Sequence, residues 1–269
     1  MIRLEPAQYD RILGPLGTLK MNTLFAESVL LQDVDGTVYV DRIEDPQVFY
    51  IAHGYGMSLL WGDMHQPEFN EALRKYWLES ERQQREWLQV YPDGWNDHIR
   101  ALIKAGKGNI EEHTRVNFRF DATRYRELRI TEPRPGLVPV PTDKKLFEQA
   151  QGAVVPRYFW RDAEQFVSKG IGFSLILDGQ AAATAFAAIN IRGRLEIGIE
   201  TVEAYRGQGL ARIVCTALID YCLAHGLEPV WACRLGNQGS YHLAQQLGFV
   251  PTLQLPYYQF RNGALHGSD

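Results

Sequence analysis

The chain has 269 residues, enough for one large domain or two modest ones, and its 45% hydrophobic and 22% charged content is that of a water-soluble globular protein. A net charge of −4 and a pI near 6 give no overall attraction to nucleic acid or to an anionic membrane, and no apolar run reaches the roughly 20 residues that a bilayer-spanning helix needs. Cys215, Cys222 and Cys233 are an odd set without metal-ligand spacing, so they are expected as reduced core thiols of a cytoplasmic protein, and Met1–Glu5 has no signal-peptide character.

Residues 1–30 carry a helical pattern broken by Pro6, Gly14-Pro15 and Gly17. Asp35-Gly36 is a turn signal ahead of the alternating Thr37-Val38-Tyr39-Val40. Glu44-Asp45-Pro46 then turns the chain into Val48–Ala52, and Gly54 and Gly56 lead into Met57–Gly62. This spacing predicts a small antiparallel meander. From Pro67 the period becomes helical, with Phe69, Leu73, Tyr76 and Trp77 in one stripe and Glu71, Arg74, Lys75 and Glu79 opposite. Glu81–Gln84 is polar, and Trp87-Leu88 resumes the apolar pattern before Tyr91-Pro92-Asp93-Gly94 breaks it. Ile99–Lys104 is a short apolar stretch, and Val116–Phe120 alternates like a strand. At their spacings Tyr76, Trp77, Trp87 and Trp95 read as core rather than as the lining of a ligand pocket. Gly106-Lys107-Gly108 reads as a loop, and Glu111-Glu112-His113 as a solvated turn, since no metal-binding spacing supports it.

The strongest break is Thr131-Glu132-Pro133-Arg134-Pro135-Gly136, followed by Pro139 and Pro141, and it divides the chain into an α+β part over 1–134 and an α/β part over 135–269. Leu137–Val140 fits a short edge strand, where proline is tolerated. Thr142 or Asp143 caps a helix to about Gln149, and Trp160–Lys169 is a second helix ended by Gly170. Strands follow at Gly172–Leu177 and Ala181–Ile191, joined by the Asp178-Gly179 turn, and then at Leu195–Thr201. A helix starts almost at once: Leu210, Val214, Leu218 and Cys222 recur at helical spacing down to Gly226. Pro229–Cys233 is a buried strand, Asn237 opens a helix through Leu243, Ala244 and Leu247 to Gly248, Leu253–Phe260 holds the last strand, and Asn262–Asp269 is a frayed tail.

Between the third strand and its helix lies Arg206-Gly207-Gln208-Gly209-Leu210-Ala211. A glycine turn running from a strand into a helix N-terminus is an anion site, because the first amides lack internal partners and the dipole favours negative charge. Gly207 and Gly209 let the backbone approach a phosphate closely. The run satisfies Arg/Gln-x-x-Gly-x-Gly/Ala, and Asn237-Gln238-Gly239-Ser240 with Leu243-Ala244 and Leu247-Gly248-Phe249 follows at the matching distance. In these motifs the chain resembles the GNAT superfamily of acetyl-CoA-dependent N-acetyltransferases over roughly residues 137–260.

The resemblance implies a GNAT-type mixed sheet flanked by helices in the C-terminal half. Gly36–Asp63 parallels Gly172–Glu200 strand for strand, so the N-terminal half is either a diverged GNAT-like copy or an accessory domain. It has no second phosphate loop, and its expected job is to wall the acceptor pocket. Acetyl-CoA is the implied cosubstrate, with no metal. Its thioester would lie beside Glu200-Thr201-Val202, a main-chain N–H near Thr201 or Val202 would hold the oxyanion, and amides from Gln208 to Ala211 would take the diphosphate. Arg206 adds charge, Asn237 would hydrogen-bond the pantetheine arm, and Ser240 would assist.

Attack requires the acceptor amine to lose a proton. Glu196 and Glu200 lie four apart on one strand and project to the same side, where Gly198 leaves space, so one of them, Glu200 by preference, is expected to relay that proton. The tyrosine that many family members place seven residues after the asparagine is Ala244 here; Tyr241, His242, Tyr257 and Tyr258 are the candidate substitute acids, none at the family's spacing. The expected activity is acetyl transfer to a primary amine, a small molecule in preference to a protein or aminoacyl-tRNA. A non-catalytic acyl-CoA-binding regulatory module is the alternative. Arg115, Arg119, Arg124, Arg126 and Arg129 offer a basic face for nucleic acid, a disfavoured partner, and a homodimer is allowed.

Overall fold

The alternation at the start of the chain resolves into a meander. The computed structural model describes residues 1–79, 85–107, 109–129 and 134–261; the polar stretch 81–84, Gly108, residues 131–133 of the proline-rich break and the expected tail 262–269 lie outside the described residues. The elements run β1 (Ile2–Arg3), α1 (Asp10–Leu16), α2 (Leu24–Leu30), β2 (Gly36–Val40), β3 (Val48–His53), β4 (Met57–Gly62), α3 (Pro67–Glu79), β5 (Glu86–Tyr91) and α4 (Trp95–Lys104). β2, β3 and β4 pair antiparallel, with Val38 opposite Ile51 and Ile51 opposite Leu59.

β5 corrects one expectation. Trp87-Leu88 does not continue a helix but lies in a strand that pairs parallel with β4, from Met57 opposite Trp87 to Trp61 opposite Tyr91. Leu88 is buried on one face and Gln89 on the other, and a strand covered on both faces loses the clean alternation that marks strands in sequence. Tyr76, Trp77 and Trp95 pack in or against the buried cluster built on Tyr50, Leu60, Leu88 and Val90, as expected of core residues.

The chain continues through β6 (Ile110–Phe120), α5 (Ala122–Leu128), β7 (Val140–Pro141), α6 (Lys144–Gln149), α7 (Ala163–Lys169), β8 (Gly172–Leu177), β9 (Gln180–Ile191) and β10 (Arg194–Thr201). After these come α8 (Leu210–Ala224), β11 (Glu228–Val230), β12 (Ala232–Arg234), α9 (Gln238–Gln246) and β13 (Phe249–Phe260). Glu111, Glu112 and His113 belong to β6 and not to a turn; Glu112 is paired with Arg100 and Glu111 with Arg261. The helix expected from Trp160 starts at Ala163, because the Asp162 carboxylate caps it by accepting from Gln165 N.

Packing divides the chain into one unit of Met1–Arg115 with the chain from Gln254 onward, and a second of Val116–Leu253. The division does not fall at the proline-rich break near residue 135, which lies inside the second unit. Strands β6 and β13 each pass from one unit to the other without interruption, and a strand interior carries no sequence signal of a boundary. In the first unit the strand order is β1-β2-β3-β4-β5-β13, with Tyr258 of β13 opposite Leu88. The second holds a five-stranded sheet, β11-β10-β9-β8-β7, and the run β13-β6-β12.

The second unit follows from composition. β9 is rich in alanine (Ala182, Ala183, Ala185, Ala187, Ala188), and these small side chains let α8 close on the sheet through Leu210, Val214, Cys215, Leu218, Ile219 and Cys222. α8 ends as expected: Gly226 takes φ +68 and Leu227 N donates back to Cys222 O at 2.9 Å, the Schellman arrangement. The succession of three antiparallel strands, a helix and a parallel strand appears twice, as β2-β3-β4-α3-β5 and as β8-β9-β10-α8-β11. Of the two expectations for the N-terminal half, the repeated order is that of a diverged copy.

Candidate functional site

The two copies differ where their parallel strands meet. β4 and β5 stay paired through Trp61 and Tyr91. β10 and β11 pair only over Arg194–Glu196 with Glu228–Val230; the chain then leaves the sheet, Trp231 O accepting from Phe118 N and β12 following β6. Among the described residues, no strand covers that edge of β10 from Ile197 to Thr201. Val202 N donates to Ala182 O at 3.0 Å. Hydrogen-bonded pairs alternate in an antiparallel ladder, so Glu200 and Gly198 also bond β9, whereas the N–H groups of Ile199 and Thr201 face the uncovered edge. Of the two expected donors, Val202 N–H is thus engaged with β9 and Thr201 N–H faces the uncovered edge.

A cavity of about 690 Å³ opens along this edge, lined by Ile199, Glu200, Thr201, the Arg206–Ala211 loop and the start of α9. Gly207 and Gly209 sit at φ +76 and +77, a conformation that side chains other than glycine's rarely take, and Gly209 is the N-cap of α8. A glycine cap supplies no side-chain acceptor, so the first amides of α8 are left for a ligand. Arg206, Gly207, Gly209, Leu210, Ala211, Asn237 and Ser240 line the cavity together, whereas Gln208 and Val202 are not among the described lining residues.

Several side chains do other work than expected. Arg206 turns back, donating from Nε to Thr201 O at 3.0 Å and lying 3.4 Å from a Glu200 oxygen. The cation over the loop is Arg134, whose Nη1 donates to Gln208 O at 2.8 Å and whose side chain also lines the cavity. In the sequence that residue lies in the proline-rich break expected to divide the chain. Asn237 Oδ1 caps α9 by accepting from Ser240 N at 3.1 Å, and Ser240 Oγ accepts from Trp231 Nε1. Tyr241 packs its ring edge-on against Phe118, 5.5 Å between centroids, and is not among the described residues lining the cavity. Ala244 is fully buried in the core, so a tyrosine has no room at that position.

The two carboxylates diverge as well. The irregularity opposite Glu196 and Ile197 skips Ala188, so the extra residue is on β9 and β10 keeps its alternation. The space expected at Gly198 is taken by the Phe186 ring, 2.5 Å from where a Cβ would stand. Glu196 is not among the described lining residues, whereas Glu200 is. Glu200 is not a free base: Oε2 accepts from both Ala153 N and Val154 N, at 2.8 and 2.9 Å.

The sequence matches the GNAT acetyltransferase family over residues 18–258, well beyond the C-terminal half in which its motifs are found. It is 27% identical over 237 residues to the uncharacterized N-acetyltransferase YdfB of Bacillus subtilis (strain 168), covering 87% of this chain and 89% of that one. The structure of a GCN5-related N-acetyltransferase-like protein from Streptococcus suis superposes with a TM-score of 0.74 at 24% identity, over 96% of this chain and all of the other. A tandem GNAT protein from the clavulanic acid biosynthesis pathway shares the fold at a TM-score of 0.61 and 12% identity, over 100% of this chain and 99% of its own. With the open strand edge, the glycine turn and the repeated strand order, these matches establish that the chain belongs to the GNAT acetyltransferase family.

Proposed function

We propose that this protein transfers an acetyl group from acetyl-CoA to the primary amine of a small molecule, by direct attack within a ternary complex. The observation that carries the reading is the glycine turn at the head of α8, opening onto the uncovered end of β10. The diphosphate is taken by first-turn amides of α8, with Arg134 supplying charge. The cosubstrate supplies the thioester. The amine nitrogen bonds to the thioester carbonyl carbon, the C–S bond breaks, and the thiolate leaves to take up a proton while the nitrogen gives one up. Thr201 N–H, on the uncovered edge of β10, is the donor proposed to hold the oxyanion between these steps, a contact whose loss typically raises a barrier by about 3–4 kcal/mol.

The cavity of about 690 Å³ is of the size that takes one small-molecule ligand, and the cosubstrate's diphosphate and thioester are proposed to occupy it. A basic face for tRNA has less support. Arg129 pairs with Asp220, Arg119 with Asp121, and Arg115 lies over the Tyr257 ring. The three buried free thiols fit a reducing compartment such as the cytoplasm. The absence of a tyrosine at Ala244 favours the second reading, a regulatory acyl-CoA-binding module. Incubation with acetyl-CoA and a panel of primary amines decides between them. Release of free thiol with the mass of one acetyl group added to an amine is the expected result; acetyl-CoA binding with no product from any amine leaves the regulatory reading standing.

A further inference from the structure

We propose that Glu200 is a positioning residue: its carboxylate tethers the Gly152–Val154 segment as one wall of the cavity, and the acceptor meets that segment rather than the carboxylate. The inference rests on the acetyltransferase reading for its consequence, though the tether itself does not.

The segment joins the end of α6 to the turn at Pro156–Tyr158, and it is held at both ends by buried residues, Ala150 and Val155. Between them, Ala153 N and Val154 N converge on Glu200 Oε2, and both residues line the cavity. Two successive amides on one charged oxygen form a strong, directional hold. Gly152 takes φ +135, and a Cβ there would stand 2.5 Å from Glu200 Cγ and 2.7 Å from Oε2, so the chain passes the carboxylate closer than a side chain allows. The Glu200 side chain is only 13% exposed, and its second oxygen faces Arg206. Arg206 in turn holds Thr201 O, so one carboxylate joins the Ala153–Val154 wall to the end of β10, where transfer is proposed.

A base and a tether respond differently to substitution. A glutamine at 200 keeps an oxygen able to accept from both amides, but cannot take up a proton. An alanine loses both functions. The test measures amide hydrogen exchange at Ala153 and Val154 in the full-length wild type, Glu200→Gln, Glu200→Ala and Gly152→Ala. It also measures coenzyme A binding by calorimetry and acetyl transfer to the amine that wild type acetylates fastest among spermidine, tyramine, glucosamine and lysine.

Glu200→Gln is expected to keep the two amides protected, and to transfer within about threefold of wild type with the same pH profile. Glu200→Ala is expected to speed their exchange by about tenfold or more and raise the acceptor KM by about tenfold, while kcat and coenzyme A affinity move by less than about threefold. Gly152→Ala puts a Cβ against the Glu200 side chain, pushes the segment off it, and is expected to reproduce the KM effect with the carboxylate still present. The proposal is overturned if Glu200→Gln abolishes transfer while the amides stay protected, since that identifies a base. Unchanged exchange in Glu200→Ala, or an unchanged acceptor KM in Gly152→Ala, overturns it equally. If wild type acetylates none of these amines and does not bind coenzyme A, the acetyltransferase reading fails, and the exchange measurement alone judges the tether.

Discussion

Arg134 donates to the carbonyl of Gln208 at 2.8 Å, placing its guanidinium over the glycine turn that opens α8. Arg206, the residue marked by the motif, is occupied by Thr201 O and Glu200. Arg134→Ala is therefore expected to weaken coenzyme A binding by about tenfold at low salt, and Arg206→Ala by no more than about threefold. The difference should shrink as salt is raised, because both side chains are exposed to solvent. Calorimetry on the two variants checks the order; a larger loss for Arg206→Ala returns the diphosphate contact to that residue.

Gly198 lies against the fully buried Phe186, whose ring would stand 2.5 Å from an added Cβ. Gly198→Ala is expected to destabilise the protein by about 1–3 kcal/mol through overpacking. Gly236, with nothing within 4 Å of its Cβ position and no positive φ, is the control, and Gly236→Ala should be neutral or mildly stabilising. Urea midpoints for the two variants should move apart; equal midpoints mean that Phe186 is not packed there.

His53 is buried, its Nε2 has no hydrogen-bond partner among the described residues, and its Nδ1 accepts from Tyr55 N at 3.1 Å. Burial lowers its pKa from 6.5 to about 3. The native state therefore refuses a proton that the unfolded chain accepts below about pH 6.5, and stability falls as pH drops from there toward about 3, by at most about 1.4 kcal/mol per pH unit. Asp41, Asp63 and Asp121, whose pKa values are lowered, lose stabilisation in the same direction but below their ordinary carboxylate range. Unfolding at about pH 7 and about pH 5 isolates the histidine. In His53→Asn, which keeps an acceptor for Tyr55 N, most of the difference between the two pH values should vanish.

Cys215 and Cys222 are fully buried and Cys233 nearly so. Burial pushes the Cys215 thiol well above its ordinary range and Cys222 to about 12. Because the thiolate is the reactive form, none of the three should react quickly with Ellman's reagent in the native protein, and all three should once it is unfolded. Fast reaction of native Cys215 or Cys222 contradicts the packing of α8 on β9.

What the sequence disclosed was local. The Gly207–Gly209 turn and the Asn237 cap are written in neighbouring residues, and the structure keeps them together. Residues whose partners are remote gave no signal. Arg134 reaches a carbonyl 74 positions away from a segment that reads as linker. Glu200 is engaged by amides 46 and 47 positions earlier, which no periodicity announces. β5 was hidden because both its faces are buried, and the engagement of Val202 N–H with β9 followed from ladder register, which is fixed by a partner strand.

The interrupted first unit has a consequence for how the molecule is made. Tyr258 and Phe260, both fully buried, belong to the same core as Tyr50, Leu60 and Leu88, yet they leave the ribosome after every residue of the second unit. The unit translated first is thus completed last, since its core waits for the strand that comes at the end of the other.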